Sequence, residues 1–281
     1  MPIQLGRRLP LRRHGASAGH DREVSTGPRT HTNRIRAQSF GSDARAYDRV
    51  RPGYPPELID DLVADGPRTA LDVGCGTGKA ARLVQARDVK VLGLEIDPRM
   101  AEIARGHGVP VVVTAFETWD ARGQSFDLLV SGQAWHWIDP IKGTRRAASL
   151  LPPHGLLALF WNFAQLDPAA WRAVNAAYDA VAPEITKTSV LRGNGPGTVP
   201  GHIETLRRSH RFGHIERRQY RWEQQYERDQ WLAMIRTHSD HSTLPPDRLR
   251  RLLAAIGAAF DEVGGVATAH YTTDAVFARA R

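Results

Sequence analysis

The segment Leu71–Lys79, which reads LDVGCGTGK, has three glycines at alternate positions and an acidic residue shortly before them. The acidic residue is Asp72, and the glycines are Gly74, Gly76 and Gly78. Glycine is needed where the backbone takes a positive φ or approaches another group closely. This turn is therefore either simply tight or lies against a bound ligand, and several ligand classes have to be compared.

Two phosphate-binding patterns match this turn only in part. A phosphate loop of the form GxxxxGK[ST] needs glycine at Val73 and a hydroxyl residue at Ala80, so both positions exclude it. A dinucleotide fingerprint of the form GxGxxG matches Gly74 and Gly76 but has Lys79 at its third glycine. A nicotinamide-dependent dehydrogenase therefore stays open as an alternative.

The residues around the turn predict a strand, a turn and a helix, followed by a second strand. Residues 69–73 are a short apolar strand candidate, and residues 79–88 have the apolar face of a helix. Residues 89–97, which read VKVLGLEID, predict the second strand, with Glu95 near its end. An acidic side chain at this distance from the turn can accept hydrogen bonds from both ribose hydroxyls, so Glu95 predicts a nucleoside ligand.

With Asp72 in front of a GxGxG turn, the chain resembles the class I S-adenosylmethionine-dependent methyltransferases, whose first motif has the form [LV]-D-[VIL]-G-x-G-x-G. Residues 46–55, AYDRVRPGYP, are similar to the N-terminal element of the small-molecule branch that includes trans-aconitate methyltransferases. The resemblance implies S-adenosylmethionine as the cofactor. This ligand contains an ammonium and no pyrophosphate, so Asp72 near its amino-acid end is favourable.

The resemblance also implies which residues contact the cofactor. Tyr47 and Arg51 would face its methionine end, where a guanidinium suits a carboxylate. Relatives have an aspartate at the position of Ala115, so adenine recognition would use the Phe116 backbone, with Glu117 as a weaker candidate. Ile96 and Met100 would cover the adenine ring, or else belong to the core. The predicted cofactor site comprises Tyr47, Arg51, Asp72, Gly74, Cys75, Gly76, Gly78, Glu95, Ile96, Met100, Phe116, Glu117 and Gln133.

The fourth predicted strand, Phe126 to Val130, leads into the segment QAWHWID, and relatives place their reactive centre at this strand end. Doubly wound sheets bind ligands outside the carboxyl ends of their strands. We therefore expect Trp135 to form a wall of the acceptor pocket and His136 to orient or deprotonate the acceptor. The alternative is that Trp135 belongs to the core and His136 is structural. A hydroxyl acceptor needs a base, whereas a carboxylate acceptor does not.

The rest of the chain predicts a Rossmann-like, doubly wound α/β fold with a mostly parallel seven-stranded sheet and an antiparallel C-terminal edge hairpin. Asp97 and Pro98 have the residue types of an N-cap and a first helical position. Residues 192–202 contain four glycines and predict a loop or mobile lid. The other predicted elements are a fifth strand ending near Asn162, a helix over residues 167–182, a strand over 217–226, an amphipathic helix over 249–263 and a strand over 266–280.

Length and charge divide the chain into two regions. With 281 residues, 41% of them hydrophobic, the chain can bury one large core. Residues 1–40 contain eight arginines and only two acidic residues, so most of the net charge of +8 lies there. We predict a disordered basic tail over residues 1–38 and a methyltransferase domain over residues 39–281. The tail is inert, a targeting peptide or a nucleic-acid arm, and we expect its removal to leave folding and cofactor binding intact.

Composition also limits the partners. The single cysteine, Cys75, excludes a disulfide framework and a zinc knuckle, and the histidine pairs 210/214 and 238/241 have no third ligand at metal spacing, so we predict no metal. No apolar run is long enough for a membrane span, and a cytoplasmic setting is compatible with the cysteine content. The fourth strand lacks the NPP[YF] motif, which disfavours a nucleic-acid base as acceptor. The sequence leaves the oligomeric state open.

From these features we expect an enzyme that uses S-adenosylmethionine to methylate an oxygen or nitrogen atom of a small molecule. The alternative from another class is a protein that binds the cofactor without transferring its methyl group.

Overall fold

The computed structural model describes residues 44–185, 199–238, 240–241 and 244–281. The predicted tail and most of the glycine-rich segment lie outside these residues, and both predictions stay open. The helices are α1 (Ala44–Val50), α2 (Pro56–Val63), α3 (Lys79–Gln85), α4 (Pro98–Gly106), α5 (Pro140–Leu150), α6 (Pro168–Val181), α7 (Val199–Arg208), α8 (Arg228–Arg236) and α9 (Pro246–Glu262). The strands are β1 (Thr69–Val73), β2 (Lys90–Glu95), β3 (Val111–Val113), β4 (Leu128–Gly132), β5 (Leu156–Leu166), β6 (Phe212–Glu227) and β7 (Val266–Ala280).

The seven strands form one sheet in the order β3-β2-β1-β4-β5-β7-β6. The strands β1 to β5 are parallel, whereas β7 is antiparallel to both of its neighbours, β5 and β6. This arrangement confirms the predicted fold class. The direction of winding reverses between β1 and β4, which pair with each other, and sheets of this type bind ligands outside the carboxyl ends of the strands at such a point.

Continuous apolar runs explain why the central strands are buried on both faces. In β1, Ala70 packs into one buried cluster with α2 and α3, whereas Leu71 packs into a second cluster on the opposite face. Successive side chains of a strand point to opposite faces, so a strand with helices on both sides needs an unbroken apolar sequence. The same alternation holds for Leu129 and Val130 of β4. These two clusters fix the ends of β1 and β4 side by side.

A third buried cluster lies beyond the parallel part of the sheet. It joins α6, α8 and α9 to the outer strands and contains Tyr226, Trp231 and Phe260. The helix α1 lies against α8 and against α4, so it bridges this cluster and the parallel sheet. The third cluster therefore determines where the segment after α1 crosses the sheet. Among the described residues, no helix combines the length and hydropathy that a bilayer crossing requires.

Several features of the elements differ from the sequence prediction. The strand β4 begins at Leu128, opposite Ala70, because the Phe126 amide donates instead to the carbonyl of Leu150. The strand β5 continues past Asn162 because β7 pairs with it as far as Leu166. Gly201 lies within α7 and not in a loop. Finally, β6 and β7 are joined through α8 and α9, so the antiparallel edge is not a tight hairpin.

The close approach at Gly132 predicts a stability effect. A Cβ at this position would lie 2.5 Å from the Tyr54 hydroxyl and 2.6 Å from a ring carbon of Phe160. We expect Gly132→Ala to lower the free energy of unfolding by about 1–3 kcal/mol, because neither ring can move without disturbing the core. Urea unfolding measures this change. Gly106→Ala is the matched control, since its Cβ would meet no atom within 4 Å. Equal stability of both variants would contradict the close contact of Gly132 with Tyr54 and Phe160.

Candidate active site

A pocket lies at the carboxyl ends of β1 and β4. Its walls are the glycine turn after β1, the end of β4, part of β5 and the covering segment 47–54, which we call the strap. Seven residues of the predicted cofactor site line it, namely Tyr47, Arg51, Asp72, Gly74, Cys75, Gly76 and Gln133. The other lining residues are Pro52, Tyr54, Thr77, Lys79, Ala80, Gly132 and Asn162. The structure thus brings together residues that are up to 115 positions apart.

All three glycines of the turn have a positive φ, with values of 70°, 56° and 82° for Gly74, Gly76 and Gly78. The amides of Gly74 and Cys75 both donate to the carbonyl of Leu94, at 2.9 and 3.0 Å, which holds the turn against β2. A Cβ at Gly74 would also lie 2.5 Å from the Cβ of Ala134. The alternating glycines are therefore required by the backbone conformation, and Gly74 also by its contact with the loop after β4.

Asp72 is a buried carboxylate that faces the pocket. Its side chain is 1% exposed, and neither oxygen accepts a hydrogen bond of normal geometry. Burial raises the pKa of Asp72 to about 7, the amide of Ala81 offsets this only in part, and the nearby charge of Glu95 raises it further. A buried carboxylate without a partner is costly, so a cationic group in the pocket would stabilise its ionised form.

Glu95 ties the glycine turn to the end of β2. One carboxylate oxygen accepts from the amide of Gly76 at 2.8 Å, and the other accepts from the amides of Ile96 and Asp97, both at 2.9 Å. Burial raises the pKa of Glu95, and these amides offset only part of that rise. The expected contact is with ribose hydroxyls, and because a carboxylate offers about four lone-pair positions, the oxygen that accepts from Gly76 still has acceptor capacity for one hydroxyl. Glu95 lies beside the pocket and not in its lining.

The strap is held on two sides. On one side, the carboxylate of Asp48 pairs with Arg82 at 3.2 Å and contacts the Nε2 atom of His107 at 2.7 Å. Lys79 donates to the Asp48 carbonyl at 2.6 Å. Lys79 is the residue that replaces the third glycine of the dinucleotide fingerprint, and here it connects the glycine turn to the strap.

On the other side, Arg51 is bound to the end of α8. Its Nε atom donates to the Thr237 hydroxyl and its Nη2 atom to the Thr237 carbonyl, both at 2.8 Å. The guanidinium also lies 5.1 Å from the centre of the Tyr47 ring. Two of its three nitrogens are therefore already engaged by the protein, which the resemblance did not indicate. Arg51 still lines the pocket, so the predicted contact with a carboxylate stays a prediction.

The four residues predicted for adenine are outside the pocket lining. Phe116 is buried and packs against Trp135, with ring centres 5.9 Å apart. Met100 is buried below the turn, and Ile96 follows β2. The carboxylate of Glu117 accepts from the amide of Asp139, at 3.1 Å, and so fixes the loop before α5. Gly78 lies at the start of α3 and is likewise outside the lining.

Trp135 and His136 form a short 3₁₀ turn behind the pocket wall. Trp135 is 1% exposed and belongs to the core, whereas His136 is half-buried. The Nδ1 atom of His136 lies 3.3 Å from the Nε1 atom of Trp161, and the Trp161 ring is stacked on His202. An indole N–H can only donate, so Nδ1 accepts and the neutral imidazole has its proton on Nε2. Burial lowers the pKa of His202 to about 4, so its ring is neutral.

Comparison with known proteins gives a match for the region that forms most of this pocket. Residues 71–159 match the family model described as a methyltransferase domain. This part of the chain is therefore similar to a methyltransferase domain. The matched range begins in β1 and ends in β5, so it includes the glycine turn, Glu95 and the loop after β4.

Relatives agree with the predicted resemblance. An uncharacterized methyltransferase of Mycobacterium bovis is 38% identical over 136 residues, which cover 47% of this chain and 56% of that protein. Trans-aconitate 2-methyltransferase of Methylobacterium radiotolerans is 33% identical over 138 residues, covering 46% and 52%. These matches span about half the length of each relative.

The fold has a solved counterpart. A provisionally named type II methyltransferase of Anaeromyxobacter dehalogenans superposes with a TM-score of 0.60 at 22% identity, covering 82% of this chain and 97% of that one. The similarity therefore extends beyond the methyltransferase domain match into the antiparallel edge of the sheet.

Sequence analysis missed Tyr54 and Asn162, which both line the pocket. Gln133 has a φ of 60° and donates from Nε2 to the carbonyl of Asn162 at 3.3 Å. The sequence offered one signal for Asn162 as a pocket residue, since it is a polar residue that directly follows the apolar run LLALFW of the fifth strand. The left-handed backbone of Gln133 places its side-chain amide against the main-chain carbonyl of Asn162.

The raised pKa of Asp72 predicts a pH-dependent stability. The unfolded carboxyl ionises near pH 3.8, whereas the folded one holds its proton up to about pH 7, so this contribution to stability is lost as the pH rises through that range. Asn cannot ionise, so we expect the free energy of unfolding of Asp72→Asn to rise relative to that of wild type by on the order of a few kcal/mol between pH 4 and 8. Urea unfolding of both proteins across this pH range tests the prediction. A difference in the free energy of unfolding that does not change with pH would contradict the conclusion that Asp72 is buried without a partner.

Proposed function

We propose that this chain is an S-adenosylmethionine-dependent methyltransferase that methylates an oxygen or nitrogen atom of a small molecule. The observation that supports this most is the buried, unpartnered carboxylate of Asp72 in a pocket beside the glycine turn. The match of residues 71–159 to a methyltransferase domain gives the reaction class. We further propose a cytoplasmic setting, in keeping with a single buried cysteine.

The residues present fit the functional groups of this cofactor. Asp72 offers a carboxylate to the ammonium, and Glu95 retains acceptor capacity for one ribose hydroxyl. Arg51 is the cation in the pocket lining that suits a carboxylate. When bound, S-adenosylmethionine supplies an electrophilic methyl group on a sulfonium that departs as a neutral thioether.

The contribution of the chain is placement and electrostatics. The glycine turn exposes backbone without side chains, and the strap covers the pocket from the side of α1. Because pairing with a cation favours the ionised form of Asp72, we expect binding near neutral pH to release the proton that this carboxyl holds. Holding two reactants in register in a site of this kind can lower a barrier by about 7–11 kcal/mol.

On the acceptor side, the pocket offers the side-chain amide of Gln133. His136 lies behind this wall, and its Nδ1 atom already accepts from Trp161. A neutral ring of this tautomer carries its proton on Nε2 while Nδ1 already accepts, so it does not remove a proton from an acceptor. This arrangement favours an acceptor that is already ionised, such as the carboxylate that the name of the Methylobacterium relative implies for that protein.

Cofactor binding is expected to depend on the turn and on both carboxylates. Asp72→Asn and Glu95→Ala should each weaken binding of S-adenosylmethionine about tenfold to a hundredfold, because each loses hydrogen bonds to a charged group. Gly76→Val places a branched side chain at a φ of 56° and should bind still more weakly. Isothermal titration calorimetry gives the affinities. Glu102→Gln on the exposed face of α4 is the control, and wild-type affinity in all three variants would overturn the assignment.

Turnover separates an enzyme from a protein that only binds the cofactor. Incubation with methyl-labelled cofactor and a metabolite extract should give S-adenosylhomocysteine and a labelled small molecule, which mass spectrometry identifies. Tight binding without any labelled product would support the non-catalytic alternative. Binding of a nicotinamide dinucleotide in preference to S-adenosylmethionine would support the dehydrogenase.

The placement of His136 leads to a kinetic prediction. Because Nδ1 is engaged by Trp161, we expect His136→Ala to lower kcat by less than about 10²-fold, to raise KM, and to keep any pKa near neutrality in the rate profile. The pH dependence of kcat on the identified acceptor measures this. A larger fall in kcat together with the loss of a near-neutral pKa would establish His136 as a general base. Trp161→Phe is the companion variant, since it removes only the donor to Nδ1.

A further inference from the structure

Asn162 lies in β5 where this strand extends beyond the end of β4, and its side chain bridges two parts of the molecule. Its Nδ2 atom donates to the carbonyl of Gly53 in the strap, at 2.8 Å. Its Oδ1 atom accepts from the hydroxyl of Thr273 in β7, at 2.7 Å. The Thr273 hydroxyl in turn accepts from Nε1 of Trp222 in β6, at 2.8 Å. Asn162 is 4% exposed and Thr273 is fully buried.

The chemistry of these groups gives the chain one direction only. The indole N–H of Trp222 can only donate, so the Thr273 oxygen accepts from it and must use its own hydrogen for Asn162. The Gly53 carbonyl can only accept, so the nitrogen of the Asn162 amide faces it. A chain that begins at an obligatory donor and ends at an obligatory acceptor has no alternative arrangement of its protons. Hydrogen bonds aligned in this way also strengthen one another.

The sheet register explains why the three side chains meet. Asn162 and Thr273 are direct partners in the antiparallel pair of β5 and β7, so their side chains leave the same face of the sheet. Trp222 is the partner of Tyr271, two residues from Thr273 along β7, which is the diagonal position on the same face. The Trp222 ring is stacked on Tyr271 with centres 4.2 Å apart. The antiparallel edge of the sheet therefore determines the orientation of the Asn162 amide.

The backbone that Asn162 holds is the part of the strap between its side-chain contacts. Asp48 anchors the strap to α3 and α4, and Arg51 anchors it to the end of α8. Gly53 has no side chain with which to make a contact, so its carbonyl is the group that can fix this stretch. The next residue, Tyr54, lies against Phe160 in edge-to-face contact, 4.8 Å between ring centres.

We propose that Asn162 is a positioning residue of the cofactor pocket: aligned by Thr273, it holds the strap at Gly53 and so keeps Tyr47 and Arg51 beside the glycine turn. This inference rests on the proposed function, because the pocket is taken to bind S-adenosylmethionine. It assigns a role in cofactor binding to Thr273, a residue of β7 in the antiparallel edge of the sheet that does not line the pocket.

Three variants and one control test the proposal by calorimetry with S-adenosylmethionine. Asn162→Asp at pH 8 keeps the acceptor for Thr273 but places a carboxylate oxygen against the Gly53 carbonyl, and Thr273→Val removes the hydroxyl. We expect each to raise Kd about tenfold, whereas Thr273→Ser should restore wild-type affinity within about twofold. The control, Trp222→Phe, keeps the stacked ring and the contact between Thr273 and Asn162, so its affinity should also stay within about twofold.

Two further readouts separate positioning from a general loss of stability. A protonated carboxyl at position 162 can donate to the Gly53 carbonyl, so the Kd ratio of Asn162→Asp to wild type should shrink as the pH falls from 8 to 5.5. In the absence of cofactor, hydrogen exchange of peptides covering residues 44–57 should be about tenfold faster in Asn162→Asp and Thr273→Val than in wild type, with unchanged exchange in β1.

The outcomes distinguish this proposal from the proposed function. If wild type fails to bind S-adenosylmethionine, the proposed function is wrong, and the exchange measurement still decides whether Asn162 holds the strap. If wild type binds and both Asn162→Asp and Thr273→Val keep Kd within about twofold, the positioning role is wrong. Unchanged exchange over residues 44–57 in both variants would overturn it as well.

Discussion

The carboxylate of Asp72 is buried at the carboxyl end of β1 without a hydrogen-bond partner of normal geometry, and the surrounding elements create that condition. Helices on both faces of the sheet remove β1 from water, and the glycine turn and the strap close its end. Burial of an unpaired carboxylate opposes folding. The structure tolerates it because the raised pKa of Asp72 lets the group stay protonated up to about pH 7. Ionisation of Asp72 therefore destabilises the fold, and a cationic ligand bound beside this carboxylate would reduce that cost.

The pocket is assembled by contacts between distant parts of the chain. The strap comes from the region before β1, yet its anchors are Arg82 in α3, Thr237 after α8 and Asn162 in β5. The methyltransferase domain match ends at residue 159, before two of these three anchors. The parallel half of the sheet therefore supplies the turn, the acidic residues and one set of strap contacts, whereas the region after residue 159 supplies the contacts of Thr237 and Asn162. Changes at Thr273 in β7 should for this reason affect binding without touching the ligand.

Local sequence signals predicted the elements well because their causes are local. The cap at Asp97 is confirmed, with its side chain accepting from the amide of Arg99 and Pro98 at the first helical position. The start of β4 was misplaced by two residues because it depends on pairing with β1, which no local pattern encodes. Likewise, the contact of Arg51 with Thr237 joins residues 186 positions apart. Side-chain partners at this separation follow from the packing of the third cluster and not from any motif.

The charges around the turn also distinguish between the ligands that the glycine pattern left open. Asp72 and Glu95 are both buried near the turn, and the charge of Glu95 raises the pKa of Asp72. A pyrophosphate would add negative charge to this pair, while the amide of Gly76 is already committed to Glu95 and cannot bind a phosphate. Lys79, at the position of the missing third glycine, donates to the Asp48 carbonyl. A ligand that brings a cation to Asp72 and a hydroxyl to Glu95 relieves the repulsion instead, which favours S-adenosylmethionine over a dinucleotide on electrostatic grounds.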